Sequence, residues 1–217
     1  MIDHEKSNHV RATFLEAARS ARNVLDDGRI AELWDGPSAL AEFSLRGLAG
    51  HLVRGVTSVE DYLNNPLPSE APITAAEYYV AAVDTQDIFS PLHAGVRQRG
   101  EDMARVGHSQ LLQNLGAAID RLTHRLPEEP VDRVMRVFRD LVTTLDGYLE
   151  TRIVELVVHM DDLAISIGKI DTKLPEVPLS SAIATLIDVG RHRHGDLAVL
   201  RALSRRERDE IQALRIF

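Results

Sequence analysis

The sequence contains no cysteine among its 217 residues. Disulfide bonds, thiolate metal ligands and a thiol nucleophile of the protein's own are therefore excluded. The net charge is −8, which disfavours a broad nucleic-acid surface because phosphate binding needs clustered positive charge. No apolar run is long enough to span a membrane, and the polar, acidic start of the chain is unlike a secretory signal peptide. The sequence therefore predicts a cytoplasmic protein without a nucleic-acid or membrane partner.

The common short motifs of catalysis are also missing, since no Gly-rich phosphate loop, Gly-x-Ser-x-Gly elbow or His-Glu-x-x-His pair occurs. Alternating strand patterns are nearly absent, and the periodicity that is present is helical. Hydrophobic residues make up 44% of the chain, which is enough for a substantial core. With no internal repeat and no linker, the sequence predicts a single all-α domain over residues 1–217, with no separate C-terminal domain.

Apolar spacing and capping residues predict where the helices lie. The predicted helices cover about residues 10–25, 44–64, 74–89, 91–126, 145–167 and 179–191, followed by a further pair divided at Ser204. The predicted N-caps are Ser44, Thr74, Ser90, Thr144 and Ser204, the last in a capping box with Glu207, and Gly28 is the predicted C-cap of the first helix. The long helix is expected to bend near Gly107, and residues 131–144 are expected to form a partly extended loop.

The helix predicted over residues 145–167 is apolar over most of its circumference but carries one polar ridge. The ridge residues recur at three- and four-residue steps and so stack on one face: Tyr148, Arg152, Glu155, His159 and Asp162. A helix this apolar is buried, and unpaired buried charge is costly. The ridge therefore has to face partner side chains, water or a ligand.

Glu155 and His159 are four residues apart, so their donor atoms can converge on one metal ion. The same spacing suits a second arrangement without metal. In that alternative, a line of salt bridges runs from Arg152 through Glu155 and His159 to Asp162. The spacing alone leaves both interpretations open.

His51 lies at the edge of the apolar stripe of the helix predicted over residues 44–64. Gly47 precedes it by four residues and Gly55 follows it by four, so one helical face reads Gly, His, Gly. Glycine inside a helix costs about 1 kcal/mol relative to alanine. The two glycines therefore indicate either useful space beside the imidazole or close helix packing.

Two segments resemble the ligand helices of the mycothiol-dependent maleylpyruvate isomerase N-terminal domain family. They are SLRGLAGHLVRGV at 44–56 and YLETRIVELVVHMDDLAI at 148–165, and the tail HGDLAVLRALSRRER also resembles actinobacterial members. The resemblance implies a DinB-like four-helix bundle, here with additional short helices. It also implies one divalent metal, usually zinc, held by His51, Glu155 and His159.

Two imidazoles and one carboxylate leave coordination positions open, as in catalytic zinc sites. The same ligands suit Fe²⁺ or Ni²⁺ as alternatives. An open position can take a thiol and lower its pKa, and a chain without cysteine would borrow that thiol from a co-substrate such as mycothiol.

The resemblance and this chemistry together predict a metal-dependent thiol S-transferase or isomerase that acts on a small electrophile. Arg152 is a candidate for holding an anionic substrate, or else it pairs with Glu155. Asp162 is a candidate for orienting the imidazole of His159, or else it meets solvent. The alternative is a non-catalytic helical-bundle protein that binds a small ligand or protein partner and retains the metal pocket. Neither a catalytic residue nor an oligomeric state is predicted.

Overall fold

The computed structural model describes residues 4–83, 87, 89–209 and 212–216. Its α-helices are α1 (His4–Leu25), α2 (Gly28–Glu32), α3 (Leu45–Leu63), α4 (Ala75–Ala82), α5 (Pro91–Ala104), α6 (His108–Arg125), α7 (Leu145–Ser166), α8 (Glu176–His194) and α9 (Asp196–Ser204). A small antiparallel hairpin joins β1 (Val134–Arg136) to β2 (Val142–Thr144), with Met135 opposite Thr143. Short 3₁₀ turns cover Leu126–Glu128, Phe138–Asp140 and Arg206–Arg208. The described chain is therefore mainly helical, as predicted.

Four long helices form the bundle, because α1 packs on α6 and α7 while α3 packs on the same two helices. Their apolar stripes meet in a common core that includes Phe14, Leu52, Leu115, Leu149 and Ile153. Helix α5 packs on the outer side of α3, and α4 and α8 cover α7. The prediction of a four-helix bundle with additional short helices is confirmed, and α7 is buried by helices on several sides.

Side-chain caps fix where several of these helices begin. The Ser44 hydroxyl accepts a hydrogen bond from the backbone N–H of Gly47, and Thr144 does the same for Gly147. Thr74 and Glu77 form the reciprocal capping box, and Ser90 caps α5 ahead of Pro91. Four of the five predicted N-caps are confirmed, since each of these hydroxyls satisfies an N–H group that a helix start leaves free. The predicted capping box of Ser204 and Glu207 was wrong, because Ser204 ends α9 and caps no described helix.

Several predicted boundaries were wrong. The chain at 91–126 is two helices because Gly107 has a φ of +83°, a left-handed conformation that ends the helix rather than bending it. Gly28 begins α2 instead of capping α1. Ser204 is the last residue of α9, and only the 3₁₀ turn at Arg206–Arg208 follows it in the described part of the chain. Helix α4 ends at Ala82, and residues 84–86 and 88 of its predicted extension lie outside the described residues.

None of the described helices has the combination of length and apolar character needed to cross a membrane.

Candidate metal centre

Helices α3 and α7 bring His51, Glu155 and His159 together, with one potential ligand atom from each within 4.8 Å of the others. Glu155 Oε2 lies 3.4 Å from His51 Nε2 and 3.4 Å from His159 Nε2. Ligand atoms placed about 2.0–2.1 Å from a tetrahedral zinc ion are about 3.4 Å apart. The donor set and its spacing therefore fit a divalent ion of this kind.

The two helices run side by side in opposite directions. Gly55 faces the Leu156 side chain, to which a Cβ at this position would be 3.4 Å away. Further along α3, the Ser58 hydroxyl is 3.0 Å from the Tyr148 hydroxyl, which lies nearer the start of α7. This antiparallel packing explains why a histidine from α3 meets a glutamate more than 100 positions away in the sequence.

Close packing also accounts for Gly47. A Cβ at Gly47 would lie 2.6 Å from Glu101 Oε1 of α5, and one at Gly50 would clash with the Gly100 carbonyl oxygen. Gly47 and Gly50 therefore lie where α5 approaches α3 closely, whereas a Cβ at Gly55 would make only ordinary van der Waals contact with Leu156. The packing interpretation holds for Gly47, and close packing does not require a glycine at position 55.

Hydrogen bonds orient two of the three candidate ligands. His159 Nδ1 lies 2.9 Å from Asp162 Oδ2, and since a carboxylate only accepts, Nδ1–H donates and Nε2 is directed at Glu155. The Tyr79 hydroxyl lies 3.0 Å from the Thr151 carbonyl oxygen and 3.2 Å from Glu155 Oε1. His51 Nδ1, in contrast, is buried without a hydrogen-bond partner among the described residues.

The contribution of Tyr79 was not predicted from the sequence. It comes from α4, and nothing in its local pattern indicates that its hydroxyl reaches α7. Only the packing of α4 against α7 brings the two together.

The three side chains strongly affect each other's protonation. Burial alone would lower the pKa of His159, but hydrogen bonds to Asp162 and Glu155 raise it to about 9. Burial opposes ionisation of Glu155, yet the two imidazoles and Arg152 hold its pKa well below the usual range. Burial lowers the pKa of His51. Glu155 is therefore an ionised carboxylate. It faces the imidazole of His159, whose raised pKa favours the protonated form, and that of His51, whose lowered pKa favours the neutral form.

The side chains of His51, Glu155 and His159 remain 19%, 17% and 15% exposed, so the cluster is mostly buried but still partly exposed to solvent. The ring of Phe43 lies 6.0 Å from that of His51 and borders it on one side.

Arg152 lies one helical turn before Glu155, with its guanidinium carbon 4.7 Å above the centre of the Tyr148 ring. Its Nε donates to the Thr151 hydroxyl at 3.1 Å. Among the described residues, no carboxylate oxygen comes within 4.0 Å of its guanidinium nitrogens, so the alternative of an Arg152–Glu155 ion pair is not formed. Asp162, the other flanking residue, contacts His159 and not only solvent.

A helical bundle whose facing helices present two histidines and one glutamate belongs to the DinB-like class in its architecture. The family model of the mycothiol maleylpyruvate isomerase N-terminal domain matches residues 12–164, which is more than half of the chain and includes the whole candidate centre. The chain belongs to this family. Searches of curated proteins and of solved structures gave no significant match. Family membership suggests a mycothiol-related function.

Proposed function

We propose that the protein is a metal-dependent S-transferase or isomerase that joins a low-molecular-weight thiol, such as mycothiol, to a small electrophile. The observation that carries this proposal is the placement of His51 Nε2 and His159 Nε2, each 3.4 Å from Glu155 Oε2, in a partly exposed cluster whose three potential ligand atoms lie within 4.8 Å of one another. Family membership supports the thiol.

His51, Glu155 and His159 are the proposed ligands, and zinc is the proposed metal ahead of Fe²⁺ or Ni²⁺. A divalent ion held there would act as a Lewis acid that lowers the pKa of a coordinated thiol. The thiol must belong to a co-substrate because the chain has no cysteine.

The surrounding residues have distinct proposed roles. Asp162 accepts a hydrogen bond from the Nδ1–H of His159 and so keeps Nε2 directed at the centre. The Tyr79 hydroxyl contacts Glu155 Oε1 and leaves Oε2 facing the imidazoles. Arg152, which has a guanidinium without a carboxylate partner among the described residues, would bind an anionic group of the substrate.

The first test is metal analysis of the full chain purified without a histidine tag. We expect about one divalent ion per chain, and we expect loss of that ion in His51→Ala, Glu155→Ala and His159→Ala with helix content preserved. His124→Ala is the matched control, since His124 is exposed on α6, and it should keep the metal. If all three variants retain the ion as tightly as the parent, the ligand assignment is wrong.

The second test is turnover. The zinc-loaded protein is incubated with mycothiol, or with a simpler thiol, and a panel of small electrophiles. Thiol consumption, which reports transfer, and isomerisation of the electrophile, which leaves the thiol unconsumed, are both followed with and without a chelator. Acceleration that requires both thiol and metal supports the proposal. Metal binding without acceleration for any pair would favour the non-catalytic binding protein instead.

A further inference from the structure

A cavity lies between the loop after α2, the start of α3 and the end of α5. Its volume is about 480 Å³, within the range of about 300–1,000 Å³ that is typical of sites for small molecules. The side chains on its wall include those of Trp34, Arg46, Gln98, Glu101 and Arg105. None of the three proposed metal ligands belongs to this wall, so the cavity is distinct from the candidate metal centre.

Trp34 forms a fixed aromatic part of the wall. Its carbonyl oxygen accepts a hydrogen bond from the backbone N–H of Arg46 at 3.2 Å, which holds the loop against α3. The ring of His108 meets the indole edge-on, with 5.4 Å between the ring centres, and His108 Nε2 is itself 2.7 Å from the Leu25 carbonyl oxygen. The indole is nevertheless only partly buried against the core. Part of the ring of the chain's only tryptophan is therefore exposed and held in one orientation.

The polar part of the wall is fixed by an ion pair between α3 and α5. Arg46 donates from Nη1 to Asp35 at 2.7 Å and from Nε to Glu101 at 2.8 Å. The other carboxylate oxygen of Glu101 accepts a hydrogen bond from the Ser44 hydroxyl. These contacts hold both charged groups in place. Each group still has hydrogen-bonding capacity for a ligand, because a guanidinium has five donors and a carboxylate has about four lone pairs.

A second polar group of the wall is fixed within α5 and at its end. Asp102 Oδ1 accepts a hydrogen bond from Gln98 Nε2 at 2.9 Å and is paired with Arg105 Nη2 at 2.8 Å. The amide of Gln98 is thereby oriented, and its carbonyl oxygen remains an acceptor. Both donors and acceptors are therefore fixed around the same cavity as Trp34.

The charges around the cavity are matched. The two arginines of the wall, Arg46 and Arg105, are paired with three carboxylates, those of Asp35, Glu101 and Asp102. A free anion would be repelled by the carboxylates and a free cation by the arginines, so the site favours a neutral ligand. A hydroxyl group both donates and accepts hydrogen bonds, and it therefore suits a wall that offers both kinds of partner. The aromatic face in turn suits the apolar C–H face of a saturated ring.

We propose that this cavity is a binding site for a neutral, hydroxyl-rich ring such as that of a sugar. The ring of the ligand packs on Trp34, and its hydroxyl groups form hydrogen bonds with Arg46, Glu101 and Gln98. The inference goes beyond the proposed function, because it requires neither the metal ion nor a thiol.

The test uses Trp34 as the reporter, because it is the only tryptophan in the chain and its fluorescence therefore comes from this site alone. The full chain is titrated with methyl glucoside, and glycerol is the probe for general solvent effects. We expect a saturable change in emission with methyl glucoside and none with glycerol, and calorimetry should give the same dissociation constant. Absence of saturable binding overturns the proposal. Tighter binding of adenine than of methyl glucoside also overturns it, since that result would assign an aromatic ligand.

Paired variants locate the binding. Glu101→Gln removes a charge-assisted acceptor but keeps the shape of the side chain, and it should weaken binding by about tenfold. Its control is Glu60→Gln, which changes a carboxylate that also binds an arginine but lies outside this cavity. Gln98→Ala should weaken binding by about threefold. Its control is Gln110→Ala, which removes an exposed glutamine with an equivalent hydrogen bond on α6. Equal losses in a variant and its control overturn the proposal.

Two further variants test the aromatic wall and the independence from the metal. Trp34→Ala should abolish binding measured by calorimetry, and Trp34→Phe should restore part of it. Unchanged binding in Trp34→Ala overturns the proposal. His159→Ala removes a proposed metal ligand and should bind methyl glucoside as the parent does, so failure of this inference and failure of the metal assignment are distinguishable. Loss of binding in His159→Ala would place the ligand at the metal centre instead. Circular dichroism and thermal unfolding exclude misfolded variants.

Discussion

Arg11 of α1 contacts the first half of α7, and Arg152 belongs to that half of α7, yet the two arginines differ in how many of their donors bind protein acceptors. Arg11 is 5% exposed, and its Nε donates to Asp146 at 3.0 Å. Its terminal nitrogens donate to the carbonyl oxygens of Leu126 and Glu129 at 2.7 Å and of Pro130 at 2.9 Å. Arg152 makes one hydrogen bond, from Nε to the Thr151 hydroxyl.

This difference distinguishes an arginine whose donors the fold uses from one whose terminal donors it leaves unused. The Arg11 side chain ties the turn after α6 to the start of α7, and nearly all of its five donors are used within the protein. Arg152 is held in place by a ring beneath it, while its terminal donors have no protein acceptor among the described residues. The fold does not require those donors, and so they are available to a ligand.

The largest expected effect is on stability and belongs to Arg11. Arg11→Met leaves the Asp146 carboxylate and three carbonyl groups without their donor, which should lower the free energy of unfolding by about 3–5 kcal/mol. Arg152→Met should change it by less than about 1 kcal/mol. Urea denaturation followed by circular dichroism measures both, and we propose that the chain unfolds in a single transition as one domain. Equal losses in the two variants would contradict the comparison.

The next largest expected effect is on zinc affinity. It compares a histidine that has a hydrogen-bond partner with one that has none among the described residues. His159 is oriented by Asp162, whereas His51 Nδ1 has no partner among the described residues. Asp162→Asn should weaken zinc binding by about 10–100-fold, because an amide no longer fixes the tautomer that presents Nε2. Competition with a chromophoric chelator measures the affinity. Asp161→Asn, one position away and without a contact to the imidazole, is the control and should bind zinc normally.

The ridge on α7 was predictable because helical spacing is local. Tyr148, Arg152, Glu155, His159 and Asp162 fall on one face whatever surrounds the helix, and the structure places them there. The N-caps were predictable for the same reason, since each involves a hydroxyl and an N–H three residues later.

Features of the fold and the site that depend on contacts between distant parts of the chain could not be predicted from the sequence. The contact of Tyr79 with Glu155 depends on how α4 packs against α7, which no local pattern encodes. The break at Gly107 was missed because an apolar stripe continues on both sides of it. The role of Gly47 was ambiguous in sequence, and only the positions of Gly100 and Glu101 on α5 showed that packing explains it. His51 itself was assigned through the family resemblance and not from spacing.

A smaller effect is expected on catalysis when Arg152 is changed. If its free donors bind an anionic substrate, Arg152→Gln should raise KM by about tenfold and leave kcat nearly unchanged. The rate of electrophile conversion at varied electrophile concentration gives both constants. Arg19→Gln, which removes an exposed arginine from α1, serves as the control. A fall in kcat with no change in KM would assign Arg152 to the reaction itself and not to binding.

The last expected effect is the pH dependence of stability in the protein freed of metal. The pKa of His159 is raised to about 9 in the folded protein, against about 6.5 when the chain is unfolded. The folded state therefore binds the proton more tightly. Its contribution to stability is fully present below about pH 6.5 and is lost as pH rises through about 9. Between these values, stability should fall by at most about 1.4 kcal/mol per pH unit.

Urea denaturation of the metal-free protein at pH 7, 8 and 9 measures this slope, and His159→Gln should flatten it. Excess zinc should also remove the fall, because a bound cation replaces the proton as the partner of Glu155, and metal binding requires the neutral imidazole. An unchanged slope in His159→Gln would mean that the proton resides elsewhere. The Arg11–Asp146 pair would then be the more informative comparison with Glu155. Asp146 is neutralised by an arginine of the protein, whereas the charge of Glu155 is neutralised by the proton or metal ion that the two histidines hold beside it.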